Sequence, residues 1–451
     1  MIRDRITHRE YDVGIFGLGV SGAAAVYNFS RFTNVKSIIA LEKALDIATI
    51  NSHPLNNAQT SHDGSTETNY NLAHALEVQK AARYLRNYLK SKGENPNLYR
   101  KVLRMVLGVG AKEAAQLEER FKVFSPYYPD ISLASPKWLE QNEPMIMKGR
   151  NPTQPISAIV STEGYVVNYQ EYAKELFWDS VKINPNFDYA FNHPVLSIKF
   201  KGDHYEVKTL VRTFYCKTVI FEAGPYSLFF ARELGYGMNY AILPVAGSFY
   251  SAGHLLNNKV YRVQIEGRPF AAIHGDPDIL EMTDTRFGPT TKPLPLMERH
   301  HYETFRDFMK LPLLSSVRGI SALLKVVNEN NLWGYAAKNF IFDMPIIGPA
   351  TFLREIHPII PTIRYKDLKL RRGAGGIRPQ IVNLETRKLE MGDSTIIGKN
   401  AIFNTTPSPG ASVSMANGRR DAKKIVEFLG SGYWFDEEKF QEELGELPKS
   451  A

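Results

Sequence analysis

The feature that most constrains this 451-residue chain is Gly17-Leu18-Gly19-Val20-Ser21-Gly22, a GxGxxG near its start. Tyr11 to Phe16 reads as a short buried strand before it, and an Ala-rich helix follows to about Arg31. In that context each glycine has a steric task. Gly17 permits a tight turn, Gly19 lets a diphosphate approach the backbone, and Gly22 lets the helix pack on the strand. Ser21 sits at the helix start, where free N–H groups face an anion. Glu42 ends a second buried strand, Ser37 to Leu41, 20 residues beyond Gly22 (42 − 22 = 20). An acid there accepts hydrogen bonds from a ribose hydroxyl and repels a 2′-phosphate. The alternative is a glycine-rich helix–strand contact with no ligand.

The expected class is α/β with an α+β insert: a Rossmann-like domain carrying a substrate domain built on a mixed sheet. No Pro- or Ser-rich linker divides the chain, so the domains are read as discontinuous. Residues 8–75, 155–240 and 370–430 are assigned to nucleotide binding. Residues 76–154 and 241–369 are assigned to the substrate or cap domain, and 431–451 to a tail. Residues 47–70 are polar and aperiodic, the mark of a long functional loop. Helices are expected over 71–92 and 111–124, irregular chain over 126–155, and a turn then a helix over 164–181. Short strands follow to Gly224. Residues 299–338 read as largely helical with a break at Pro312, and a last helix is expected over 410–429.

The single cysteine, Cys216, lies in an apolar run and reads as a buried structural thiol. No apolar run is long enough to span a bilayer, and the glycine pattern argues against a secretory signal over the first residues. The net charge of +8 favours anionic partners without choosing among them. No metal-ligand spacing and no nucleic-acid motif is present, although residues 364–378 are strongly basic.

The fingerprint does not by itself separate FAD from NAD. Thr218 to Gly224, TVIFEAG, is an apolar strand ending in a glycine that permits close approach to a ligand. Thr405-Thr406-Pro407-Ser408-Pro409-Gly410-Ala411-Ser412 precedes a second helix, whose N-terminus could stabilise charge on a reduced flavin ring. With EGYVVNYQEYAKEL, NHPVLSIKF and TVIFEAGPY, these pieces resemble the flavoprotein group of D-amino-acid oxidase and L-2-hydroxyglutarate dehydrogenase. Within that group NSHPLNNAQTSHDGSTETNY, LPVAGSFY, FAAIHGDPD, TRFGPT, GIRPQIV and FNTTPSPGAS are similar to the malate:quinone oxidoreductase family, in its shorter form of roughly 450 residues.

That resemblance implies FAD, with Val195 placing its backbone near the adenine and Gly224, Gly376, Pro409, Gly410 and Ala411 along the cofactor. It implies oxidation of L-malate to oxaloacetate, hydride passing to flavin N5 and electrons to a membrane quinone, as in the tricarboxylic acid cycle. His274, at a strand end, is the first choice for the base, and His62 the rival. Arg378 is the first choice for a carboxylate clamp, with Gln380 beside it and Arg286 second. For each, a structural role (strand-end hydrogen bond, cap or ion pair) is the alternative.

A quinone acceptor implies peripheral contact with the cytoplasmic face of the inner membrane. Arg299 to Lys325 is the candidate amphipathic segment, and Tyr433-Trp434-Phe435 a second; packing into the core is the competing reading of both. Other 2-hydroxy-acid dehydrogenases or oxidases, an NAD-dependent dehydrogenase and a non-catalytic flavin scaffold are the remaining readings.

Overall fold

In the computed structural model, residues 4–264, 272–390, 394–405 and 410–445 are described. The first sheet places the Glu10–Phe16 strand between Ile38–Leu41 and Thr213–Phe221, all parallel. Phe187–Ala190 extends it on one side and Ala401–Asn404 on the other, also parallel. The spatial order of these five is thus third, second, first, fourth, fifth, which is doubly-wound topology. Fully buried strands such as Ile38–Leu41 read as continuous apolar runs because both faces are covered, Ile38 and Ala40 by helices and Ile39 and Leu41 largely by the strands that carry Ile198, Val207 and Phe214. The Val20–Phe32, Tyr169–Ile183 and Ser414–Leu429 helices pack on one side over Val13, Ile15 and Ile220. A hairpin of Val195–Phe200 and Tyr205–Thr209 leans on Thr213–Phe221, turning at Gly202 with φ +99°.

Two further sheets build the second half. One has four strands around the antiparallel pair Tyr240–Ala246 and Ile377–Asn383. The other has eight strands and is mixed: Lys259–Arg262 runs parallel to Tyr99–Val109, and its other pairings are antiparallel. A layer of short helices from Phe305 to Ile356 covers the four-stranded sheet and the neighbouring core.

Several local expectations differ from the structure. Gly164 lies within the Ile156–Val167 strand rather than in a turn. A Cβ there would meet the Val102 carbonyl oxygen at 2.5 Å, so the glycine serves close strand pairing. That strand and Tyr99–Val109 pair along their lengths, although Ile156–Val167 falls in the stretch assigned by sequence to nucleotide binding. Long-range pairing of this kind leaves no local signature. The 126–155 stretch holds the Ile131–Ala134 strand and two short helices that start at Pro136 and Pro144. Proline there occupies the first helical turn, where its missing N–H costs nothing. The C-terminal stretch forms a Glu437–Leu444 helix that buries Phe440 against Tyr84 and Phe32. Among the described residues no helix is long and apolar enough to cross a membrane.

Candidate active site

Between the first sheet and the other two lies a cavity of about 580 Å³, in the size range of cofactor sites. Gly17, Gly19, Ser21, Glu42, Val195 and Gly224 line one end, and His62, Gly376, Arg378, Gly410 and Ala411 line the other. Segments separated by hundreds of residues therefore meet on one elongated surface.

The glycine turn is built as its spacing requires. Gly17 has φ +96° and lies against the Glu222 carbonyl, where a Cβ would come within 2.7 Å. A Cβ on Gly22 would sit 1.8 Å from the Gly17 oxygen, so this residue, although it does not line the cavity, lets the helix close onto the turn. Gly19 caps the Val20–Phe32 helix with no side-chain hydrogen bond. The Val20 amide donates to Ser52 Oγ at 3.0 Å. Glu42 accepts from the Leu18 amide at 2.6 Å and the Ala44 amide at 2.9 Å. Burial raises its pKa, and those two amides partly offset the effect.

Sequence reading passed over Glu222. It lines the same end and shares Asn404 with Asp421, the Asn404 amide donating to both carboxyl groups at 2.6 Å. Burial, then repulsion from Asp421, pushes Glu222 above the usual carboxylate range. A protonated carboxyl here removes a negative charge from beside the glycine turn. Nothing in the local sequence announces it, because Glu222 follows the Thr213–Phe221 strand while Asp421 comes from the Ser414–Leu429 helix.

At the other end the loop after the second strand folds along the cavity. His62 is anchored twice: its amide donates to Ser412 Oγ at 2.9 Å, and its Nδ1 lies 2.6 Å from Glu67 Oε1. Burial by itself would raise Glu67, but Arg104 and the His62 contact outweigh it and hold the carboxyl ionised. The loop's acidity is thereby neutralised. Asp63 pairs with the fully buried Arg104 and with Arg86, and Arg120 donates to the carbonyls of Gly64, Glu67 and Tyr70. Sequence reading took Asp63 and Glu67 only as acids that would not favour a dianion beside them, and it passed over these arginines, which carry no local motif.

Arg378 lies on the Ile377–Asn383 strand opposite Val245. Among the described residues no acid pairs with its guanidinium, and burial lowers its pKa. Gln380 follows on that strand, is buried and does not line the cavity. Arg286 also lies off the cavity. Its Nη2 donates to Asp276 at 2.9 Å and its Nη1 to the Pro54 and Asn57 carbonyls, so it pins the cavity-lining loop from behind.

His274 lies in the same buried cluster, off the cavity. Its ring stacks on Tyr261 at 4.4 Å, and Nε2 is 3.3 Å from Asp276 Oδ1 without hydrogen-bond alignment. Burial drives its pKa down to about 3, so it is neutral at physiological pH. Asp276 would be raised by burial, but Lys259 and Arg286 hold it at about 2, while burial brings Lys259 down to about 8. Pro409 lies outside the described residues.

A family model for malate:quinone oxidoreductase matches residues 9–418. A Helicobacter pylori protein named malate:quinone oxidoreductase is 34% identical, covering 96% of this chain and 98% of that protein. A Campylobacter jejuni protein described as "Probable malate:quinone oxidoreductase" is also 34% identical, over 97% of this chain and all of its own length (100%). The FAD-bound L-alpha-glycerophosphate oxidase of Mycoplasma pneumoniae shares the fold, with a TM-score of 0.64 at 17% identity, covering 93% of this chain and 95% of that one.

Proposed function

This chain belongs to the malate:quinone oxidoreductase family, and on that premise we propose that it binds FAD in the cavity and oxidises L-malate at the Arg378 end. The net reaction is L-malate plus quinone giving oxaloacetate plus quinol, two electrons and two protons leaving the substrate. When bound, FAD supplies the two-electron carrier between the two. The observation that carries the reading is a half-buried arginine, without an acidic partner among the described residues, facing a cavity that begins at the Gly17–Gly22 turn. A cation held that way is stabilised by an anionic ligand.

The residues present fit the cofactor. The Gly17–Gly22 turn and the Val20 helix start would hold the diphosphate, and Glu42 the ribose, exchanging its Leu18 contact for a hydroxyl. Val195 and Gly224 would border the adenine end. Gly376, Gly410 and Ala411 would border the ring, near the start of the Ser414–Leu429 helix.

Arg378 binds one malate carboxylate through paired N–H groups and orients C2. His62 takes the C2 hydroxyl proton. Glu67 accepts from Nδ1–H, which fixes the tautomer that leaves Nε2 as the acceptor toward the cavity. His274 and Arg286 support the loop through Tyr261, Asp276 and the 54–57 carbonyls rather than by touching substrate. The acceptor is a membrane quinone, which calls for peripheral contact at the inner face of the membrane and fits a role in the tricarboxylic acid cycle.

The direct test is the visible spectrum of the purified protein. A flavin band that bleaches on anaerobic addition of L-malate is expected. A colourless protein that reduces NAD would overturn the reading. Bleaching by L-2-hydroxyglutarate but not by malate would reassign the substrate.

A further inference from the structure

Twenty-four large apolar side chains are solvent-exposed among the described residues, and eleven of them fall between Tyr302 and Ile347. That stretch is about a tenth of the chain, so the concentration is not the ordinary scatter of surface hydrophobics. The Val317–Glu329 helix shows how it arises. Gly319, Ala322 and Val326 form its buried stripe. Val317, Ile320 and Leu324 form a second stripe on the opposite side, with Val317 86% exposed. A helix packed on a globular core ordinarily turns polar residues outward; this one is apolar on both faces. The Leu332–Phe342 helix packs against it and exposes Trp333 and Phe340. Just beyond, Ile346 is 79% exposed at φ +68°, a conformation that a β-branched residue rarely adopts. The fold thus holds a strained apolar side chain out in solvent.

The charges around this face select its occupant. Each acid in the stretch has a partner: Glu303 with His301, Asp307 with Lys310, Glu329 with Lys325, and Asp343 with Lys292 and Arg299. Arg306 and Arg318 are exposed and have no ion-pair partner among the described residues. An apolar face edged by unpaired cations suits anionic lipid headgroups. Pairing with a second copy about a twofold axis would set this basic-edged face against an identical one.

The layer is also continuous with the site. Asp307 and Lys310, at its start, line the cavity. Tyr335, in the Leu332–Phe342 helix, is close enough to Arg378 to act on it electrostatically.

We propose that the helical layer between Tyr302 and Ile347 is the surface that docks on an anionic bilayer, seating Val317, Ile320, Leu324, Trp333, Phe340 and Ile346 in the headgroup–acyl boundary. This rests on the quinone-dependent reading, since a lipid-soluble acceptor must reach the cavity from the bilayer.

The test uses the full-length FAD-loaded protein and two vesicle types, phosphatidylcholine alone and phosphatidylcholine with phosphatidylglycerol. Wild type should cosediment with the anionic vesicles. I320E/L324E should lose roughly tenfold or more of that binding. Its malate oxidation with a long-chain ubiquinone held in the vesicles should fall in parallel, while reduction of a water-soluble dye stays at the wild-type level. Should that variant fail to fold, V317E alone, at a nearly fully exposed site, serves instead. Wild-type vesicle binding by the variants would overturn the docking surface. So would a change in their oligomeric mass with vesicle binding intact, which would assign the face to a second copy. Failure of wild type to reduce the dye with malate would overturn the functional reading instead, and vesicle binding would still decide the surface.

Discussion

The two ends of the cavity are made of different material. At the glycine turn the ligand-facing groups are main-chain amides, set by a turn and a helix start within six residues. At the Arg378 end they are side chains from the 57–67 loop, the Ile377–Asn383 strand and the segment before the Ser414–Leu429 helix, brought together from far apart in sequence. A main-chain site depends on what is missing, since a single added Cβ fills it. A side-chain site depends on what is present and on the buried charges behind it.

That difference predicts different ways of failing. Gly22→Ala puts a Cβ 1.8 Å from the Gly17 oxygen, so the helix must move off the turn. The expected result is a folded or partly folded protein that loses its flavin altogether, read from the absorbance of the purified protein. Full flavin content would mean that the turn does not grip the diphosphate.

Removing side chains at the other end should leave the cofactor bound and damage turnover alone. Arg378→Ala deletes a charge-assisted contact of about 1.5–3 kcal/mol. It should raise KM for malate by roughly ten- to a hundredfold while flavin content stays whole. Arg378→Lys should recover only part of this, because a point charge does not match a carboxylate's two oxygens. An unchanged KM would take Arg378 out of the substrate end and sharpen the contrast against it.

The same contrast explains what could be read in advance. Strand, turn, helix and Glu42 form a local pattern, so the architecture of the glycine-turn end was legible, as were helices with a clear apolar stripe such as Leu72–Ser91. The Tyr99–Val109 and Ile156–Val167 strands were not, since their register is set by pairing across some sixty residues (for instance Arg100 with Val166). At the other end of the cavity Arg378 and His62 could be picked out by type and resemblance, but their surroundings could not. Arg286 and His274 have equally suggestive local sequences, yet Asp276 and Tyr261 draw them into a buried cluster behind the wall. Glu67, which orients His62, has a charge that reads as unfavourable until Arg104 is seen beside it.

On the proposed function, proton removal occurs at His62 on the cavity wall and not at His274 behind it. Anaerobic stopped-flow reduction of the bound flavin by saturating L-malate tests this most directly. His62→Asn should slow the reduction by roughly 10²-fold or more, and His274→Asn, where a neutral side chain replaces a neutral imidazole, by less than about tenfold. The reverse ranking, with His62→Asn near wild type and His274→Asn nearly inert, would contradict it.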